Sequence, residues 1–245
     1  MYKKLLLLIC GASLVGSLES QAQQRLEIGL SGGYTHNTLS ADVGYRSFTK
    51  YQPSAGFQVS VPVQYHLNDW FGIQLDLSYI QKNYALKRTG FFEGVNSEIT
   101  NNFIQAPLMA HFSFGTEKIR GFLNLGGYVG YWTSSRFQST VPNPFSPDKE
   151  LDDNDQIYNY NDLVDYYSHS GKVEFDSRRD RRVELGLVSG VGAEYRIDER
   201  FKVFAEARYY YSATDLQKDY MINQTPRYNN TIGLQAGVFY ALWSK

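Results

Sequence analysis

From residue 25 onward, apolar and polar side chains alternate one for one in eight runs, at 25–36, 54–66, 70–83, 102–114, 118–133, 182–197, 201–213 and 229–243. In the second run Phe57, Val59, Val61, Val63 and Tyr65 share one phase, opposite Gln58, Ser60, Gln64 and His66. The last run sets Ile232, Leu234, Ala236, Val238, Tyr240 and Leu242 against Thr231, Gly233, Gln235, Gly237 and Phe239. A period of two marks a strand with unlike faces. No window after the N-terminal segment sustains the 3.6-residue stripe of an amphipathic helix. Each run exceeds the roughly 9–11 residues that a tilted strand needs to cross a bilayer.

The connections alternate in length. Segments 67–69, 115–117 and 198–200 are tight, whereas 37–53, 84–101, 134–181 and 214–228 are long. That rhythm places antiparallel neighbours side by side with every tight turn at one end. The expectation is an all-β, eight-stranded antiparallel up-and-down transmembrane β-barrel with short periplasmic turns and long extracellular loops. Closure of 229–243 against 25–36 would remove the unpaired edges that lipid cannot satisfy. A soluble lipocalin-like barrel holding a small apolar ligand is the alternative, and it would need charged residues outside and an apolar lumen.

Aromatics sharpen the picture, with 20 Tyr, 15 Phe and 3 Trp in 245 residues. Tyr65, Phe71, Phe112, Phe114, Tyr195, Phe201 and Tyr240 fall near the tight-turn ends, and Tyr34, Tyr79, Tyr131, Tyr209 and Tyr211 near the long-loop ends. Two aromatic belts around an aliphatic band fit the two interfaces of a bilayer.

The polar phase then fills the lumen, which in an eight-stranded barrel is only wide enough for side chains. Glycines of that phase leave room for Phe122, Tyr128, Phe204 and Phe239. Asp76, Arg120, Glu184, Glu194, Lys202, Glu206 and Arg208 bring both signs of charge inside. Such charges must be paired to be tolerated, so they are expected to form a salt-bridge plug, with Glu194 meeting Lys202 across the third tight turn. Pro62 and Pro107 share the inner phase and, lacking a ladder donor, are each expected at a bulge.

The first 22 residues read as an export signal: Lys3 and Lys4, an apolar stretch from Leu5 to about Gly16, and Ser20-Gln21-Ala22 as the cleavage site. Residues 23–245 would then form the barrel domain. Cys10, the single cysteine, lies within the signal, which leaves a mature chain without disulfides. A formal charge of -1 excludes a general nucleic-acid binder, which carries a large basic excess.

Several stretches resemble the PorT-type small outer-membrane barrels, a porin family of Gram-negative envelopes. They are Phe71-Gly-Ile-Gln-Leu-Asp-Leu-Ser-Tyr79-Ile-Gln-Lys82, Asn102-Phe-Ile-Gln-Ala-Pro107-Leu, Gly126-Gly-Tyr-Val-Gly-Tyr131, Gly190-Val-Gly-Ala-Glu194 and Glu206-Ala-Arg-Tyr-Tyr210, in that order. The resemblance implies an outer-membrane barrel without a shared biochemical activity; some members are linked to protein secretion. Gln235, Gly237, Tyr240 and Leu242 are similar to the C-terminal signal read by the barrel-assembly machinery, which makes that machinery an expected partner. Trp243-Ser244-Lys245 runs past the usual end of that signal.

Candidate chemistry is sparse. His66 and His111 fall near the tight turns with no serine nucleophile beside them, so no catalytic residue, metal or cofactor is expected. Loop 134–181 is the longest connection, and unstructured segments of that length are usually functional or disordered. It ends in Ser177-Arg-Arg-Asp-Arg-Arg182. Lys82, Lys87, Arg88, Arg136, Arg178, Arg179, Arg181, Arg182 and Arg227 would form a basic collar for lipopolysaccharide phosphates; pairing with acidic residues of the same loop is the competing reading. The functional expectation is a monomeric envelope structural or binding protein acting through its outer loops. A narrow passive porin, or an accessory of outer-membrane transport or protein secretion, is the alternative.

Overall fold

Alternation becomes a closed ring. The computed structural model describes residues 25–41, 48–143, 165–221 and 224–244; residues 1–22, expected to be an export signal, and residues 144–164 of the longest connection lie outside the described residues. The strands are β1 (Arg25–Ala41), β2 (Thr49–His66), β3 (Phe71–Gln81), β4 (Tyr84–Arg88), β5 (Asn96–Gly115), β6 (Ile119–Pro142), β7 (Tyr166–Lys172), β8 (Val183–Arg196), β9 (Phe201–Ser212) and β10 (Arg227–Ser244). They make eight staves, because two of the ten are continuations. β4 prolongs β3 between β2 and β5, and β7 sits above β8 along the same edge of β6.

The seam is β1 against β10, paired from Arg25↔Ser244 to Ala41↔Arg227. A bulge at Leu26/Glu27 absorbs one extra residue, so Trp243 and Ser244 remain in the ladder past the assembly-like signal. Each tight turn is fastened by a side chain. Asn68 Oδ1 accepts the N–H groups of Trp70 and Phe71 at 3.1 and 2.7 Å, and Asp198 Oδ1 accepts those of Arg200 and Phe201, both at 2.7 Å. These are the local bonds that favour Asn and Asp in turns. In the turn between them, Gly115 has φ +137°, where a side chain would also meet the Ile119 carbonyl at 2.6 Å.

The two phases separate as the pattern requires. Leu30, Leu77, Leu125, Leu187 and Leu234 are exposed, whereas Gln58, Ser60, Gln64, Gln74 and Asn124 are buried. An exposed phase more apolar than the buried one inverts a soluble barrel. Glycines face the lumen where rings cross it: a Cβ on Gly186 would lie 2.6 Å from Tyr128, and one on Gly237 2.8 Å from Phe204.

Two expectations need correction. Neither Pro62 nor Pro107 sits at a bulge. The β1–β2 ladder lapses between Ile28↔Val63 and Ser31↔Ser60, and β3–β5 between Leu75↔Leu108 and Ser78↔Gln105, and each resumes in its former register. A proline lacks one donor, which opens the ladder on one side only; Pro62↔Asp76 and Pro107↔Tyr128 run unbroken on the other. The second correction concerns length. Residues 84–88, 96–101, 134–142 and 166–172, expected in long loops, are strand. They form a crown of five strands, β2-β4-β5-β6-β7, rising past the outer aromatic belt on one side of the ring.

Candidate functional site

Three ionic clusters follow one another up the lumen, each built on a cation from the inner phase. Nearest the tight turns, Lys202 Nζ lies 2.6 Å from Glu27 and 2.8 Å from Glu194, and donates to Gln64 Oε1 at 2.7 Å. Its three donors are thereby used, and Phe239 lies beneath it with the ring centroid at 4.7 Å. Arg25 Nε reaches Glu27 at 2.6 Å.

In the middle, Arg208 binds Asp76 and Glu206, both at 2.6 Å. One cation against two carboxylates leaves an excess negative charge, which amides share: Gln74 donates to Asp76 at 2.9 Å, and Asn124 and Gln235 to Glu206 at 2.9 and 2.7 Å. Toward the outer end Lys82, fully buried, pairs with Glu184. Tyr128 and Asn229 each donate to the same carboxylate at 2.7 Å. The Lys82 ammonium sits 4.6 Å from the Tyr128 ring centroid and 5.0 Å from that of Phe103, a cation–π setting.

Apolar groups fill the spaces between charges. Phe122, Phe204 and Phe239 form one cluster. Leu39, Ile80, Phe103, Met109, Trp132, Tyr210 and Leu216 belong to a second in the outer half. Leu216 is delivered by the β9–β10 connection, whose backbone is tied down by Arg181 N–H to the Leu216 carbonyl and Leu216 N–H to the Arg227 carbonyl, both 2.9 Å.

Of the residues expected in the plug, Asp76, Glu184, Glu194, Lys202, Glu206 and Arg208 are brought into these clusters. Arg120 is not; it turns to the rim and bonds the Asp69 carbonyl. Two members escaped the sequence reading. Glu27 shares the polar phase of the first run with Ser31 and was legible. Lys82 continues the inner series Gly72, Gln74, Asp76, Ser78, Ile80, and that phase prevails over its place beside a long connection, which points to the outer surface.

The collar therefore loses members. Lys82 is in the lumen, and Arg88 and Arg227 face the inside of the mouth with Tyr51 and Leu86. Arg178 lies 3.3 Å from Asp176 and Arg179 2.8 Å from Asp180. Arg182 donates to the Trp132 and Thr133 carbonyls at 2.9 and 3.0 Å and stacks over Phe175 and Tyr131. Arg181 stays at the rim through its backbone bond to Leu216. The arginine run folds down because it finds carbonyls and carboxylates on its own rim. Lys87 and Arg136 face outward, opposite Lys50 and Lys172 respectively.

Outside the bilayer the electrostatics are local. Backbone N–H groups of Phe201 and Arg200 hold the Asp198 carboxyl below its usual range, and Arg178 does the same to Asp176. Burial pushes the Tyr84 hydroxyl up to about 12, with Arg227 opposing. Near the tight turns, His111 Nδ1 lies 2.8 Å from Asn124 Oδ1, and His66 lies 3.5 Å from Glu27. Neither contact involves a hydroxyl nucleophile. In the C-terminal signal, Gln235 and Gly237 face the lumen while Tyr240 and Leu242 face outward.

Residues 21–218 match the family model "Outer membrane protein beta-barrel domain". The chain belongs to this family. This outer-membrane barrel accordingly resides in the bacterial outer membrane. It is similar in fold to several solved structures. Neisserial surface protein A is 15% identical, with 87% of this chain and 96% of that one covered and a TM-score of 0.40. OprG from Pseudomonas aeruginosa is 12% identical, covering 91% and 99%, with a TM-score of 0.48. Ail of Yersinia pestis is 16% identical, covering 88% and 99%, with a TM-score of 0.39. No curated protein matches the sequence.

Proposed function

We propose that this outer-membrane barrel is a monomeric, non-enzymatic structural and binding component of the envelope whose lumen passes no solute. The observation that carries this reading is the lumen's contents: Lys202, Arg208 and Lys82 each engaged by carboxylates, with two apolar clusters between them. An eight-stranded ring has no width to spare around such groups. The test is single-channel recording of the purified protein in a planar bilayer. No stepwise conductance above the bare membrane is expected, and reproducible steps abolished by heat denaturation would favour a passive porin instead.

The binding surface is the outward face of the crown, where Lys50, Lys87, Arg136 and Lys172 stand beyond the outer aromatic belt, at the level of lipopolysaccharide phosphates. Replacing Lys87 and Arg136 together by Glu is expected to reduce co-purifying lipopolysaccharide; unchanged retention removes the collar from the account. The PorT-type kinship rests on the five ordered motifs that begin with Phe71–Lys82. Delivery by the barrel-assembly machinery rests on Gln235, Gly237, Tyr240 and Leu242.

A further inference from the structure

The inner side of the mouth holds a cavity that the closed lumen does not explain. Its walls are Phe48 just before β2 with Thr49 and Tyr51 on it, Leu86 and Arg88 on β4, and Thr225 just before β10 with Arg227 at its start. Register brings them together, because Tyr51↔Leu86 and Thr49↔Arg88 are neighbours on the inward face of the crown, while Arg227 enters from the seam, opposite Ala41. The space is about 420 Å³, inside the range of about 300–1,000 Å³ typical of small-molecule sites. Its floor is closed, since Tyr51 and Tyr84 pack onto the outer apolar cluster.

The chemistry of the walls is uneven. Tyr51, Leu86 and Phe48 supply apolar surface, with Tyr51 and Tyr84 edge to face at 5.9 Å. Both charged groups are cationic. Among the described residues neither Arg88 nor Arg227 belongs to an ion pair. Arg88 spends one donor on the Thr49 hydroxyl at 2.6 Å. The Arg227 guanidinium lies 6.0 Å from the Tyr51 ring centroid, and its enclosed Nε has no hydrogen-bond partner among the described residues. A buried donor left unpaired is costly. Two guanidiniums converging on an apolar cavity are suited to one oxyanion with an apolar body beside it.

We infer that this mouth pocket binds a small amphiphilic anion, a carboxylate or sulfonate carried on an aromatic or short alkyl group. The guanidinium groups of Arg88 and Arg227 hold the charge, and Tyr51 and Leu86 hold the body. A lipid headgroup is not the occupant, because the pocket opens to the inside of the mouth and not to the outer wall.

The test is a ¹⁹F NMR titration of 4-fluorobenzoate against the full barrel in phosphatidylcholine nanodiscs. Saturable binding is expected. Arg88→Gln combined with Arg227→Gln is expected to weaken it by about tenfold or more, the usual cost of losing hydrogen bonds to a charged group. By the same scale, 4-fluorobenzyl alcohol, which has the ring alone, is expected to bind about tenfold more weakly. Inorganic phosphate, which has the charge alone, is expected to displace the probe poorly. Heat-dependent gel mobility checks that the double variant is folded; if it is not, Arg88→Gln alone carries the same prediction, since Arg88 is exposed at the rim. Absence of saturation, affinity unchanged in the arginine variants, or displacement by phosphate as effective as by benzoate would overturn the inference. A conducting lumen would sink the closed-barrel reading and leave this pocket standing.

Discussion

The ring and the crown are made from the same strands yet follow different rules. Within the ring, β9 alternates without a fault: Phe201, Val203, Ala205, Ala207, Tyr209 and Tyr211 point out, and Lys202, Phe204, Glu206, Arg208 and Tyr210 are buried. In the crown, β7 runs Tyr-Tyr-Ser-His-Ser-Gly-Lys with nearly every residue exposed. Lipid on one side and buried inward side chains on the other force a period of two. Water on both sides of β7 forces nothing, so that strand is held by its backbone ladder and a few small contacts such as Thr140 with Ser168 at 3.1 Å. Stability is therefore concentrated in the ring, and mutations are expected to rank accordingly.

Arg208→Met is expected to have the largest effect. It leaves Asp76 and Glu206 buried without their cation, and removal of one partner of a buried pair typically costs about 3–5 kcal/mol. Urea titration of the variant in lipid vesicles measures the loss, and wild-type stability would show that the middle cluster is not needed. Next comes Leu187→Arg, on the exposed phase of β8 near mid-strand. A charge on the lipid face near the midplane costs about 2–4 kcal/mol, read as a lowered midpoint in heat-dependent gel mobility. At the bottom of the scale is Gln138→Ala, on the outward face of the crown opposite Glu98 and Ser170. There the change is expected to stay within about 0.5 kcal/mol. A crown variant that destabilises as much as Arg208→Met would erase the distinction between the two regions.

This division also explains what could be read from the sequence. The eight staves, the tight turns and the seam were legible, because in each stave both environments write on alternate residues. The crown was not: Asn96-Ser-Glu-Ile-Thr-Asn101 lacks an apolar phase and reads as loop, although it is strand from its first residue. Prolines misled in the opposite direction, since Pro62 and Pro107 suggested bulges where only one side of each ladder opens. The lumen's charges were visible by phase, including Asp76 and Arg208. Which charges meet was not, since Arg208 and Asp76 lie 132 residues apart in sequence and face each other only through closure. Lys82 shows the limit most clearly. Its inner phase was written in the pattern, but its position next to a long connection suggested the outer surface. The mouth pocket was hidden for a related reason, because Arg88 and Arg227 are far apart in sequence and come together only once β1 pairs with β10.

The most direct test is native-state hydrogen exchange of the protein in lipid nanodiscs, comparing amides of the β1–β10 seam, such as those from Gly33 to Thr35 paired with Gly233 to Gln235, with amides of β7. A ring closed by that seam and a crown open to water predict that the seam exchanges among the slowest segments and β7 among the fastest. Seam amides exchanging as fast as β7 would contradict the closed barrel on which the account rests.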